Sequence, residues 1–282
     1  MNIVLQNKEL TATINTKGAE LISLKKNSKE YIWEGNPKFW DKHSPILFPI
    51  VGTLKSGQYN YADKQYELSR HGFARDNDFQ VAEIFQNKAV FSFSSSEQTA
   101  KQYPFDFELK IIYRLEEDNL TIHYEVTNNG ASDMPFSIGG HPAFALAESF
   151  EDYSLLFEND ESLISYSLEN NLLSDHTTVL KLCGGKLPLN YFLFENDALI
   201  IKKLESKKIQ IFENDKPLLE VALHDFPNLG IWTKNDAPFI CIEPWFGYSD
   251  TLQSNGNLFE KEGIIILLPK KTFQASFNIK IY

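Results

Sequence analysis

Two consecutive stretches of strict alternation limit what this chain can fold into. Phe105, Phe107, Leu109, Ile111, Tyr113 and Leu115 interleave with Asp106, Glu108, Lys110, Ile112 and Arg114. Leu120, Ile122, Tyr124 and Val126 then interleave with Thr121, His123, Glu125 and Thr127. A period of two sends successive side chains to opposite faces of a pleated strand, so each stretch reads as one half-buried strand. The link Glu116-Glu117-Asp118-Asn119 is short and polar, which predicts an antiparallel hairpin. Phe273, Ala275, Phe277, Ile279 and Ile281 repeat the pattern against Gln274, Ser276, Asn278 and Lys280.

Shorter strand-like runs occupy most of the remainder. Residues 10–14 and 19–24 flank Lys17-Gly18, residues 79–85 and 89–93 bracket Gln86-Asn87-Lys88, and runs at 198–201, 208–212 and 218–223 follow at close spacing. Helical signal is confined to 96–102, enough for two turns. Many strands joined by polar turns predict an all-β sandwich or barrel. No shift in composition marks a linker, so residues 1–282 are expected to form one domain.

Charge and cysteine usage remove several function classes. Lys+Arg 27 against Asp+Glu 38 gives −11, which repels phosphate backbones and anionic lipid. Nucleic-acid and membrane partners are therefore not expected. Cys183 and Cys241 form no CxxC pair and read as free thiols. The first residues lack a basic start and an apolar core, and no apolar stretch approaches ~20 residues. A cytoplasmic location is expected.

Two histidines and one glutamate stand out as chemistry. His71 lies in Ser69-Arg70-His71-Gly72-Phe73-Ala74-Arg75, where small neighbours permit close approach. Taken alone it is also readable as a solvated loop histidine. His141 lies in Ile138-Gly139-Gly140-His141-Pro142-Ala143-Phe144; the glycines suit unusual backbone angles and the proline fixes the exit, though a plain tight turn uses the same residues. Glu243 closes the apolar run Phe239-Ile240-Cys241-Ile242, and Pro244 is expected to end ladder pairing there. A carboxylate so placed has a raised pKa unless it is paired. Trp245 offers a flat apolar face for the C–H side of a sugar ring, or for a core. Imidazoles titrating near neutrality with a tuned carboxylate can move protons. The histidines fall at no metal-ligand spacing, no G-x-S-x-G elbow occurs, and no GxGxxG loop is present, so no metal or nucleotide cofactor is implied.

In order, His71-Gly72-Phe73-Ala74-Arg75, Gly139-Gly140-His141-Pro142-Ala143-Phe144 and Glu243-Pro244-Trp245 resemble the aldose 1-epimerase (galactose mutarotase) superfamily, in its LacX-like branch of small bacterial members. The Pro-rich segment 44–52 and the segment 194–198 fit as well, so the likeness spans nearly the whole chain. It implies a large antiparallel β-sandwich with a sugar cleft on one concave sheet, acting without a cofactor on a small-molecule aldose, as monomer or homodimer. By motif, Glu243 matches the family's general base, His141 its general acid, His71 a second active-site histidine and Asp197 a binder of sugar hydroxyls. The resting pair is then expected to be an ionised Glu243 beside a protonated His141 with a pKa near 7. The family's substrate-binding arginine ahead of the Pro-rich segment is missing from Trp40-Asp41-Lys42-His43-Ser44-Pro45, leaving Lys42, His43 or Arg75 to stand in. Competing readings are a non-catalytic sugar-binding protein on the same fold, a hexose-phosphate mutarotase that uses the nearby cations, and a glycoside hydrolase that uses Asp197 with Glu243.

Overall fold

The computed structural model describes all residues 1–282, and strands dominate it. The three long alternating stretches become Phe107–Glu116, Asn119–Asn128 and Thr272–Ile281, side by side and antiparallel, with Glu116 opposite Asn119 across the tight turn. Burial alternates residue by residue along the first two. These three form the middle of a nine-stranded sheet. On one side it continues through Lys88–Ser94 to Gln80–Ile84, and on the other through Lys216–Ala222, Lys208–Glu213 and Tyr153–Phe157 to Lys186–Pro188. The predicted helix shrinks to one turn, Glu97–Ala100, where Ser96 and Thr99 cap each other's backbone N–H groups.

A second, eight-stranded antiparallel sheet runs from Leu172–Lys181 through Ser162–Glu169, Leu199–Ile201, Asn228–Trp232, Phe239–Phe246 and Ile138–Gly140 to Ile46–Leu47, with Ala143–Ala145 also on Phe239–Phe246. The two sheets face each other as a sandwich. Tyr124 and Phe277 of the first come so close to Gly140 of the second that a Cβ there would lie 2.9 Å from the Tyr124 hydroxyl. Between them lies a continuous core of 66 buried residues. Burying each Leu, Ile or Phe there contributes about 1.5–3 kcal/mol.

Phe239–Phe246 is buried on both faces. Ile240 and Ile242 join the core between the sheets. By alternation Phe239, Cys241, Glu243 and Trp245 point the other way, onto the outer face of the eight-stranded sheet. Contrary to expectation, Pro244 does not end the ladder: it sits opposite Leu229, pairing continues to Trp245 opposite Asn228, and Phe246 pairs with Ile138 on the other side. The adjacent strand is itself broken, with Ile138–Gly140 pairing to one half of Phe239–Phe246 and Ala143–Ala145 to the other. Ile242 donates its N–H to Pro142, so the N–H that Pro244 lacks would have faced this same break. His141 occupies the break.

Candidate active site

The break explains how His141 is placed. Its N–H donates to the Pro45 carbonyl at 3.1 Å, and the following Ala143 N–H donates to His43. The segment is thus an interrupted strand and not a tight turn. Gly139 and Gly140 serve close approach, not unusual angles: neither has a positive φ. A Cβ on Gly139 would lie 2.5 Å from Trp245 Cδ1, and one on Gly230 would lie 2.4 Å from the same indole. Two glycines on neighbouring strands therefore let Trp245 lie flat on the sheet.

On this face a cleft of about 490 Å³ is lined by Trp40, Arg70, His71, Arg75, His141, Asp197, Ala198, Trp232, Glu243 and Trp245. Residues from opposite ends of the chain meet here. His141 Nε2 lies 3.2 Å from Glu243 Oε2, with Glu243 almost wholly buried. The His141 ring stacks on Trp40 at 4.8 Å between centroids, and His71 meets it edge-on at 5.8 Å. His71 has a left-handed backbone, φ 68. It is clamped by its own N–H to the Gly52 carbonyl at 2.8 Å and by the Gly52 N–H to its Nδ1 at 3.1 Å. Asp197 also takes a left-handed φ; the Ala198 N–H holds its Oδ1, and its other oxygen remains for the cleft.

Burial dominates the electrostatics. It pushes the Glu243 carboxyl well above its usual range; Arg70 pulls the other way and Asp197 adds to the rise. It is the main cause that brings His141 down to about 3, with a backbone hydrogen bond opposing and Arg70 and Arg75 contributing. His71 falls well below 6.5 through burial, then through His141 and both arginines. Burial therefore keeps His141 neutral at neutral pH and disfavours the ionised form of Glu243, which runs against the charged pair expected from sequence. Burial among apolar rings and two guanidinium groups disfavours an imidazolium.

Arg75 lies on the cleft wall, its Nη2 bound to the Arg70 carbonyl at 2.7 Å. His43 does not line the cleft: its Nδ1 contacts the Trp33 carbonyl at 2.7 Å and its ring packs on Gly35. Nor does Lys42, which is drawn 3.8 Å from Asp76. Trp40, Ala198 and Trp232 were not singled out from sequence, and Arg70 entered only as one of the nearby cations. Arg70 reads as a flanking charge, while Trp40 and Trp232 read as unplaced aromatics; the one available signal was Trp40 preceding the Pro-rich segment. Cys183 and Cys241 are free thiols, the second buried. His141, Cys241 and Glu243 each bring one ligand atom within 4.8 Å of the others. Burial raises both the Cys241 thiol and Glu243, so a metal bound here would have to displace protons from both.

A family model for aldose 1-epimerase matches residues 1–280. The LacX proteins of Lactococcus lactis subsp. lactis, plasmid and chromosomal, are each 36% identical over 298 residues, covering 100% of this chain and 99% of theirs. A galactose mutarotase related enzyme from Lactobacillus acidophilus superposes with a TM-score of 0.95 at 33% identity, over 100% of this chain and 97% of its own. A galactose mutarotase-like protein from Lactobacillus casei ATCC 334 gives 0.93 at 31% identity, with both chains fully covered.

Proposed function

The chain belongs to the aldose 1-epimerase family, and on that premise we propose that it interconverts the α and β anomers of an aldose by acid–base ring opening and reclosure. The observation that carries this reading is the contact between His141 Nε2 and Glu243 Oε2, 3.2 Å apart on the floor of a sugar-sized cleft. A histidine–carboxylate pair at that distance can exchange one proton through a bound hemiacetal, whereas a hydrolase using Asp197 with Glu243 would leave both cleft histidines without a role.

In the ring-opening direction Glu243 takes the proton of the anomeric hydroxyl. The C1–O5 bond breaks with its electron pair going to the ring oxygen, and His141 delivers a proton there. Rotation about C1–C2 and reversal of both transfers close the ring on the other face. His71 donates to the ring oxygen or a neighbouring hydroxyl, Asp197 accepts from sugar hydroxyls, and Trp245 carries the apolar face of the ring. A closed ring needs the shared proton on His141; the open chain leaves it on Glu243. The neutral pair is therefore the protonation state of the open-chain complex, and one proton moved across 3.2 Å gives the other. Each positioned transfer contributes roughly 10²–10⁴-fold.

Polarimetry on freshly dissolved α-glucose and α-galactose tests the assignment. Wild-type protein should accelerate mutarotation, and Glu243→Gln should lose on the order of 10²-fold or more of that rate while still binding sugar. Equal rates in the two proteins would remove Glu243 from the reaction. A hexose phosphate is a second reading, favoured by Arg75 on the cleft wall, whose buried Nε makes no hydrogen bond and has only Asp76 Oδ2 nearby, at 3.8 Å. A higher kcat/KM on glucose 6-phosphate than on glucose would select it.

A further inference from the structure

His71 and Arg70 present a contradiction in hydrogen-bond roles that points to a substrate contact. The Gly52 N–H donates to His71 Nδ1. A neutral imidazole that accepts at Nδ1 carries its hydrogen on Nε2. Arg70 Nε, itself an N–H, lies 3.2 Å from that same Nε2. Two donors cannot bond each other. The backbone bond is the firmer of the two: it is buried and belongs to a reciprocal clamp with the His71 N–H on the Gly52 carbonyl. Arg70 is an exposed side chain, and its only other side-chain partner is Asn171, at 3.3 Å from Nη1. Both groups line the cleft. Two N–H groups this close suit a single acceptor oxygen, at ordinary hydrogen-bond length from each.

We propose that Arg70 is a substrate-contacting residue whose guanidinium, with the Nε2–H of His71, holds the ring oxygen of the sugar as negative charge develops on it. Arg70 transfers no proton. It stabilises the electron pair left on the ring oxygen when C1–O5 breaks, before His141 protonates it. This rests on the ring-opening reading above. Its placement is supported by its charge, which acts on His71, His141 and Glu243 alike.

The test compares wild type, Arg70→Gln and Arg70→Lys, using polarimetry for rate and calorimetry for two non-reacting ligands. One ligand is a 1,5-anhydrohexitol, which keeps the ring oxygen; the other is the carbasugar with CH2 in its place. Arg70→Gln should lose roughly 10²-fold in kcat, with KM moving far less, and Arg70→Lys should recover part of it. Wild type should prefer the anhydrohexitol, and Arg70→Gln should lose that preference. Removing the guanidinium should also move both limbs of the pH–rate profile upward, since Arg70 lowers the titration of the acid and the base. A variant that keeps the ligand preference overturns the proposal, as does a wild type that never had it. A wild type that accelerates no mutarotation would instead sink the ring-opening reading itself, and the same polarimeter traces show which has failed.

Discussion

Glu243, His141 and His71 are three ionisable side chains whose charged forms folding disfavours. In the unfolded chain the two imidazoles titrate near 6.5 and the carboxyl near 4.5. Folded, the imidazoles sit lower and the carboxyl higher. The histidines' share of stability is fully present above 6.5 and is lost as pH falls toward their folded values. The share of Glu243 is fully present below 4.5 and is lost as pH rises toward its folded value. Through the histidines stability rises with pH up to 6.5, and through Glu243 it falls as pH rises above 4.5. Urea denaturation across pH should show Glu243→Gln flattening the alkaline decline, by up to about 1.4 kcal/mol per pH unit relative to wild type. Parallel alkaline slopes in the two proteins would mean that Glu243 ionises freely in the fold.

Among elements, Phe239–Phe246 carries the site and its neighbours are cut to fit it. Gly230 and Gly139 leave the space that the Trp245 indole fills. Gly230→Ala should force that ring off the sheet, destabilising the fold by about 1–3 kcal/mol and raising KM more than it lowers kcat. Melting temperature and mutarotation kinetics check this; an unchanged KM would assign Trp245 to the core alone. The same strand shows where sequence is legible. Ten-residue strands such as Phe107–Glu116 declare themselves because a period of two needs several repeats to stand out. Ile138–Gly140, Ala143–Ala145 and Ile46–Leu47 hold two or three residues each, too few to show a period. Pro244 misleads as a breaker because its missing donor falls where the neighbouring strand is interrupted, which only the pairing reveals. His71, His141, Glu243, Asp197, Arg75 and Trp245 were readable through short motifs and do meet in one cleft. Arg70, Trp40 and Trp232 were not, since a flanking arginine and lone tryptophans are indistinguishable from surface and core residues until the chain closes on itself.

For the whole molecule, two antiparallel sheets bury a shared core and leave the outer face of one free to carry polar chemistry. That division lets a carboxyl and two imidazoles sit among apolar rings without opening the core. The motif residues lie at positions 71, 141, 197 and 243, and only the folded sandwich gathers them. A crystal structure of Glu243→Gln with a bound hexose reads this arrangement directly. The anomeric hydroxyl should lie within hydrogen-bond reach of residue 243 and the ring oxygen within reach of His141, with the pyranose over Trp245. A hexose seated in this cleft with its anomeric carbon turned away from both side chains, or seated elsewhere on the protein, would contradict the proposed chemistry.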